Sequence, residues 1–239
     1  MQNGLYVALS AQVSLQSRLE TIATNVANMN TAGYRADGVT FSAQLARAGS
    51  DRIAYVSPAA PHISQEAGPL TKTDNPLDVA VQGDGWLAIS TTGGTAYTRD
   101  GRMRISQTGA LENLVGNPVL DAGGAPIVLD PGVGPPAISS DGMITQNGRQ
   151  VAAIGLFDLG NISKFTRAEG SAVIPDAPPT PILDFSRNGI VQGSVEGSNV
   201  NPLMEITKLI EVTRTFDGVN SEVQQTESSL QDAIKTLGG

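Results

Sequence analysis

Five residues could in principle carry chemistry in this sequence, but their context argues against an enzyme. Asp84, Asp100, Asp121 and Asp141 could supply the carboxylate pair of a hydrolase. Each lies within two residues of a glycine, however, so turn formation explains these aspartates better. His62 is the only histidine, which excludes a multi-histidine metal site within one chain, and we expect it to be a solvated loop residue.

Other signatures of catalysis and cofactor binding are absent from the sequence. There is no phosphate-binding loop, no paired-histidine zinc motif, no nucleophile elbow and no calcium loop. Trp86 could form a carbohydrate platform, although its alternation with apolar neighbours favours a place in the core. The sequence has no cysteine and hence no thiolate zinc site. We therefore expect a protein without catalytic activity, cofactor or metal.

Composition and charge exclude two further classes of function. The formal net charge is −8 with no basic run, which argues against nucleic-acid binding because phosphate contacts require clustered Lys and Arg. No apolar run approaches the roughly 20 residues of a membrane-spanning helix, so no membrane insertion is expected. The N-terminus lacks the cationic start and apolar stretch of a signal peptide. Any export is therefore expected to proceed without signal cleavage.

The N-terminal segment has the periodicity of a long amphipathic helix. Its apolar positions alternate by three and four residues with one polar interruption, at Leu5, Ala8, Gln12, Leu15, Leu19, Ile22, Val26 and Met29. This heptad pattern is typical of a coiled-coil seam. Leu9 and Val13 lie beside the seam and widen the apolar stripe, so the helix is expected to contact more than one neighbour.

A helix-end motif follows this seam. It comprises Asn28, Thr31, Gly33 and Tyr34, and it predicts that the helix ends near Asn30 with Gly33 as a left-handed C-cap. Asparagine tolerates that conformation better than valine does. On this interpretation, Gly33→Val should damage assembly more than Gly33→Asn.

The middle of the chain has the pattern of a β domain. Of the 27 glycines and 14 prolines, 20 and 13 lie between residues 58 and 197. Short β-prone runs at 77–81 and 86–89 flank a glycine turn and predict a first hairpin, and 97–106 with 110–114 predicts a second hairpin. Asp141-Gly142 and Asn147-Gly148 indicate further turns, and 151–159 is a candidate buried strand. We expect a small antiparallel β domain.

The C-terminal segment predicts a second long helix, with Asn201 as N-cap and Pro202 in the first helical position. Its seam again alternates by three and four, at Leu209, Val212, Phe216, Val219, Val223, Thr226, Leu230, Ala233 and Leu237. Neither helix can bury its stripe alone, so the two are expected to pair. Gln12 and Thr226 could set the register of the two seams, or simply face small gaps.

These patterns together predict an α+β fold in which paired terminal helices, resembling a coiled coil, flank an inserted antiparallel β domain with extended connecting segments. The expected boundaries are 1–35 for the N-terminal helix, 36–75 for an extended connection and 76–185 for the outer β domain. A return linker is expected at 186–200 and the C-terminal helix at 201–239.

Three stretches of the sequence resemble the rod and hook family, the axial proteins of the bacterial flagellum. They are residues 22–35, with an Ala-Asn pair followed by Thr-Ala-Gly-Tyr-Arg; residues 79–87 with 97–101 and 109–111; and residues 196–216. The opening residues 3–10 are more similar to the subunit of the proximal rod than to that of the distal rod.

This resemblance implies a structural subunit of the basal-body rod. Family members leave the cytoplasm through the flagellar export apparatus without signal cleavage, and they assemble with themselves and other rod proteins into a helical tube across the periplasm. An alternative left open by the residues alone is a periplasmic or surface ligand-binding β module, held in an oligomer by coiled-coil helices. A stable discrete oligomer in solution would favour that alternative.

Overall fold

The computed structural model describes residues 2–48, 51–160 and 165–237, with side chains placed for most of them, and it shows an α+β fold. Two helices lie at the ends of the chain, α1 over Gln2–Ala27 and α2 over Pro202–Leu237. The strands between them are β1 Asp37–Ala48, β2 Asp51–Ile63, β3 Leu70–Lys72, β4 Val79–Gln82, β5 Gly85–Thr91, β6 Gly94–Thr98, β7 Met103–Ile105, β8 Leu111–Asn113, β9 Ala137–Ile138, β10 Met143–Gln146, β11 Arg149–Ala153, β12 Leu156–Asp158, β13 Phe165–Arg167, β14 Val173–Pro175, β15 Thr180–Pro181, β16 Gly189–Gln192 and β17 Ser194–Glu196.

The chain divides into two compact units, and each unit is made of segments that are separated in the sequence. Unit 1 contains residues 1–27, 37–62 and 201–239, and unit 2 contains residues 28–36 and 63–200. The boundaries of 1–35 and 76–185 expected from composition remain a proposal. Unit 2 contains the expected β domain and, in addition, residues 28–36, 63–75 and 186–200.

Unit 1 consists of both helices and the sheet formed by β1 and β2. Within this unit α1 contacts both α2 and β1. Asn25 near the end of α1 donates from its Nδ2 to the Asp37 carbonyl at 2.9 Å, and its Oδ1 accepts from the Asp37 N–H at 2.8 Å. These two bonds fix the start of β1 beside α1.

The start of α2 is capped as its sequence predicts. Asn201 Oδ1 accepts hydrogen bonds from the backbone N–H groups of Leu203 at 3.1 Å and Met204 at 3.2 Å. The Asn201 carbonyl accepts the first intrahelical bond, from Glu205 N at 3.0 Å. The side chain thus satisfies two donors that a helix start otherwise leaves without a partner.

Asn201→Ala is expected to lower the free energy of unfolding of unit 1 by about 1 kcal/mol, because the cap is lost while the helix remains. Urea unfolding followed by circular dichroism at the helix band would measure the loss. Asn201→Asp keeps the acceptor and serves as the control. Equal losses in the two variants would contradict the capping role.

Unit 2 is built around a six-stranded sheet with the strand order β13-β14-β6-β5-β12-β15. Central strand β5 is buried on both faces. Leu87 and Ile89 pack into one apolar cluster, and Trp86 and Ala88 pack into another on the opposite face. This alternation explains why β5 reads as a continuous apolar run in the sequence. Trp86 is 3% exposed, so the core interpretation of its ring is confirmed.

Several predicted turns are confirmed. Strands β7 and β8 form the expected antiparallel hairpin. Asn147 and Gly148 have φ values of 50° and 73° and join β10 to β11, as expected for a two-residue turn of type I′. Gly142 also has a positive φ, of 84°, and its N–H donates to the Ser139 carbonyl at 2.9 Å.

Two predictions about strand pairing are wrong. Strands β4 and β5 are not a hairpin across their glycine turn, because β4 pairs with β16, more than 100 residues later in the chain. The candidate strand at 151–159 is two strands in two sheets, β11 and β12, separated by Ile154 and Gly155. A Cβ on Gly155 would lie 2.7 Å from the backbone at Asp121, so this residue marks a close crossing of two chain segments.

Candidate functional site

Among the described side chains of the two helices, the most buried apolar ones belong to the predicted seam. Ile22 in α1 is 4% exposed and Val212 in α2 is 2% exposed. The half-buried members are Leu15, Leu19 and Val26 of α1, and Leu209, Phe216, Val219 and Val223 of α2. The side chains of Leu5, Leu230 and Leu237 lie outside the described residues. Met29 follows the end of α1 and is half-buried within unit 2, so the seam on the helix ends at Val26.

Both helices also carry large apolar side chains that are exposed in the single chain. On α1 these are Leu9, 51% exposed, and Val13, 54% exposed. On α2 a stripe at i, i+3 and i+7 consists of Leu203, Ile206 and Ile210, which are 75%, 45% and 50% exposed. Exposed apolar stripes of this size on a helix are typical of surfaces that bind other proteins.

The helix-end motif forms a turn and then enters unit 2. Helix α1 ends at Ala27, and the Thr31 N–H and hydroxyl bond to the carbonyl and side chain of Asn28, at 3.0 and 3.2 Å. Gly33 has the expected left-handed conformation, with φ of 66°. It lies six residues beyond the helix, however, so its role as a C-cap is wrong. Instead its N–H donates to the Glu196 carbonyl at 2.8 Å.

A buried group of charged residues lies in unit 2, and its first member directly follows this motif. Glu196 is fully buried and receives two guanidinium groups, with Arg35 Nη2 at 2.7 Å from its Oε1 and Arg99 Nη1 at 3.2 Å from its Oε2. The Gly68 N–H donates to Oε1 at 3.0 Å. We call Arg35, Trp86, Arg99, Glu196 and Asn199 the charged hub.

Both arginines of the hub face the Trp86 ring. The guanidinium carbon of Arg99 is 5.4 Å from the ring centroid and that of Arg35 is 5.9 Å away. Each cation faces the π system within the range of a favourable cation–π interaction, which partly replaces the lost hydration. Arg99 also donates to the carbonyls of Val81 at 3.2 Å and Gly83 at 2.7 Å.

Three separate passages of the chain meet at Asn199. Its Oδ1 accepts from Ala36 N at 2.7 Å, and its Nδ2 donates to Ser64 Oγ at 3.1 Å and to the Glu66 carbonyl at 2.8 Å. The Ser64 N–H donates to the Ala36 carbonyl at 2.8 Å. One asparagine therefore joins residues near 36, 65 and 199.

Arg35 and Arg167 strengthen the same junction. Arg35 Nη1 donates to the carbonyls of Gln65, at 2.7 Å, and Glu66. Arg167 donates from Nη2 to the Arg35 carbonyl at 2.6 Å, and its guanidinium lies 4.5 Å from the centroid of the Tyr34 ring. Tyr34 is 2% exposed, so this motif residue belongs to the core of unit 2.

The hub buries two cations around one carboxylate. Burial is the main cause that lowers the pKa of Arg99 to about 10, and repulsion by Arg35 acts in the same direction. Burial also lowers the pKa of Arg35, and attraction to Glu196 and Asp84 opposes the change in both arginines. The exposed carboxylate of Asp84 thus complements the buried excess of positive charge.

Three of the four aspartates considered for catalysis support turns. Asp100 Oδ1 accepts from Arg102 N at 3.1 Å, Asp121 Oδ1 from Gly123 N and Ala125 N at 2.8 Å, and Asp141 Oδ1 from Met143 N at 3.1 Å. His62 is exposed, but it lies in β2 and not in a loop.

The described part of the chain contains no candidate metal site and no candidate membrane span. Within residues 2–48, 51–160 and 165–237, no group of three or more His, Cys, Asp and Glu side chains is placed to hold a metal ion. Neither described helix is long and apolar enough to cross a membrane.

All five residues of the hub belong to three separate short motifs of the sequence, and the motifs by themselves do not predict that these residues come together. Arg35 ends the first motif, Trp86 and Arg99 belong to the second and Glu196 begins the third. The available signal was that each motif contains a charged or aromatic residue beside a glycine. Such residues in apolar surroundings must find partners when buried.

Three family models match this chain, and together they cover both helices and much of unit 2. The model described as "Flagella basal body rod protein" matches residues 5–35, and "Flagellar hook protein FlgE/F/G D1 domain" matches residues 80–146. "Flagellar basal body rod FlgEFG protein C-terminal" matches residues 191–237. The hub residues Arg35, Trp86, Arg99 and Glu196 all fall inside these matches.

Curated proteins from three bacteria are similar over the whole chain. The flagellar basal-body rod protein FlgF of Mesorhizobium japonicum is 48% identical over 100% of this chain and 99% of its own length. The FlgF proteins of Rhizobium meliloti and Caulobacter vibrioides are 46% and 35% identical, again over 100% of this chain and 99% of their own lengths. The chain therefore belongs to the FlgF family of flagellar basal-body rod proteins.

Proposed function

We propose that this chain is a structural subunit that polymerises through α1 and α2 into the axial drive shaft of the flagellum, and that it has no catalytic role. The observation that carries the proposal is the exposed apolar stripe Leu203, Ile206 and Ile210 on a helix whose seam is already partly buried. A single chain can bury only one side of each helix. The remaining side requires neighbouring subunits, as in a helical assembly.

The proposal includes a coiled-coil arrangement of the two helices. Its support is that α1 contacts α2 and that the heptad positions Ile22 and Val212 are the most buried apolar side chains among those described in the two helices. A polar contact accompanies them, since Asn25 Nδ2 donates to Glu205 Oε2 at 3.3 Å. Lys208 Nζ lies 2.6 Å from the other oxygen of the same carboxylate.

The proposed partners are copies of the chain itself, other rod proteins and the flagellar export apparatus. The proposed location is the periplasmic rod of the basal body, reached without signal cleavage. The support for these proposals is membership of the FlgF family and the resemblance of both terminal segments to axial proteins.

Ile206→Asp tests the exposed stripe. The change adds a charge to a side chain that is 45% exposed, so the fold of the monomer should persist while packing against a neighbour fails. Cells that lack their own copy of the gene and express this variant are expected to be non-motile and to build no hook. Motility in soft agar and electron microscopy of isolated basal bodies would measure the effect.

Thr215→Asp is the matched control for this experiment. Thr215 is exposed and lies nine residues after Ile206, which is two and a half turns at 3.6 residues per turn and places it on the opposite side of α2. The same charge is added, but away from the stripe. Normal motility with Ile206→Asp, at equal levels of exported protein, would overturn the proposed interface. A stable, discrete oligomer of the wild-type chain would favour a ligand-binding module instead.

A further inference from the structure

The charged hub contains residues from both ends of unit 2. Arg35 belongs to the short segment 28–36, and Glu196 and Asn199 belong to its last residues. Between residues 36 and 63 the chain leaves unit 2 and returns to it. The chain passes from one unit to the other at four positions, and hydrogen bonds of the hub lie close to three of them.

The interactions in the hub depend on one another. Without Glu196, the guanidinium groups of Arg35 and Arg99 would be buried next to each other without a carboxylate between them. Such an arrangement is strongly unfavourable in a buried site. Arg35 in turn donates hydrogen bonds to the carbonyls of Gln65 and Glu66, and Asn199 also donates to the Glu66 carbonyl.

We propose that the charged hub is a conformational latch that opens as one piece and releases the three passages at residues 33–36, 64–68 and 196–199 together. The rest of the unit 2 sheet does not need the latch to remain folded. Strands β5 and β6 pair with each other over five residues and are covered by apolar clusters on both faces. The segments that lead into β1 and α2 and out of β2 lose the hydrogen bonds of the hub when the latch opens.

Glu196→Gln in the full-length protein tests the latch, because it keeps the size of the side chain and removes its charge. Trp86 is the only tryptophan, and the guanidinium groups of both arginines face its ring, so its fluorescence reports closure directly. We expect a severalfold rise in quenching of Trp86 by acrylamide. Hydrogen exchange should show that the amides of Gly33, Ala36, Ser64 and Asn199 lose protection by a similar factor.

Glu205→Gln is the matched control, since Glu205 is another buried, paired carboxylate and lies in unit 1. It should leave Trp86 quenching and the four amides unchanged. Loss of protection only at Gly68, whose N–H bonds to the substituted carboxylate, would overturn the latch. Simultaneous loss of the β5 and β6 amides would overturn it as well, because the hub would then be inseparable from the core.

Asn199→Asp provides a second, milder variant that leaves the Arg35–Glu196–Arg99 group intact. It keeps the acceptor for Ala36 N and removes the donor to Ser64 Oγ and the Glu66 carbonyl. A latch predicts that protection falls at Gly33, Ala36 and Ser64 together, and that Trp86 becomes more accessible to acrylamide. A fall confined to Ser64 would contradict concerted opening.

Discussion

Gly33→Ala is expected to destabilise unit 2 by about 4 kcal/mol, since it combines backbone strain with steric overlap. Gly33 has a φ of 66°, and a Cβ at this position would lie 2.1 Å from Asp100 N and 2.3 Å from the Arg99 carbonyl carbon. Both neighbours are backbone atoms, so no change of rotamer can relieve the overlap. Urea unfolding followed by Trp86 fluorescence would measure the loss.

Gly148→Ala separates the two causes. Gly148 also has a left-handed φ, of 73°, but no other atom lies within 4 Å of the position of its Cβ. The same substitution there should cost only the strain of the left-handed conformation, about 1 kcal/mol. Equal losses at the two glycines would show that close packing at Gly33 has no effect.

The structure also changes the expectation for Gly33→Asn. Sequence analysis predicted that asparagine would be tolerated at a C-cap because it accepts a left-handed φ. The close backbone at Arg99 and Asp100 penalises every residue with a Cβ, including asparagine. Gly33→Asn and Gly33→Val are therefore both expected to lose function, and the difference between them should be small.

Val212→Asp is expected to separate the two helices and to abolish assembly of the flagellum. Val212 is 2% exposed, and a carboxylate at this position would lose its hydration without gaining a partner. The expected cost to unit 1 is about 3 kcal/mol or more. Circular dichroism should show reduced helix content, whereas Trp86 emission should remain that of the wild type because Trp86 belongs to unit 2.

Complementation of a strain that lacks the gene would test the consequence of Val212→Asp for assembly. Thr215→Asp again supplies a control with the same added charge on an exposed position. The amount of exported protein should be compared by immunoblot. Normal hooks and filaments in cells that export Val212→Asp would show that pairing of the helices is not required for assembly.

Local patterns were sufficient to predict the helices and many of the turns. The three-and-four alternation of apolar residues identified both helices, and Asn201 followed by Pro202 marked the start of α2 within one residue. Asn147-Gly148 identified a hairpin, because few other residue pairs adopt its conformation. In each case the signal and its structural consequence lie within a few residues of each other.

Nonlocal pairing could not be predicted in the same way. Nothing in the residues of β4 specifies β16 as its partner, since many short apolar strands could form the same hydrogen bonds with the edge of β4. Likewise, the ion pairs of Glu196 with Arg35 and Arg99 join residues 161 and 97 positions apart. No local feature of the three motifs indicates that these charged residues are buried, because their burial depends on the three motifs coming together.

The hydrogen bond between Ser64 N and the Ala36 carbonyl, at 2.8 Å, has a consequence for variation among related proteins. The backbone on the two sides of residues 37–62 is adjacent, so this segment is an insertion whose ends already meet within unit 2. Lengthening such an insertion adds little entropy of loop closure. Unit 2 should therefore tolerate insertions and deletions in β1 and β2. The length of residues 37–62 can diverge in evolution independently of the hub.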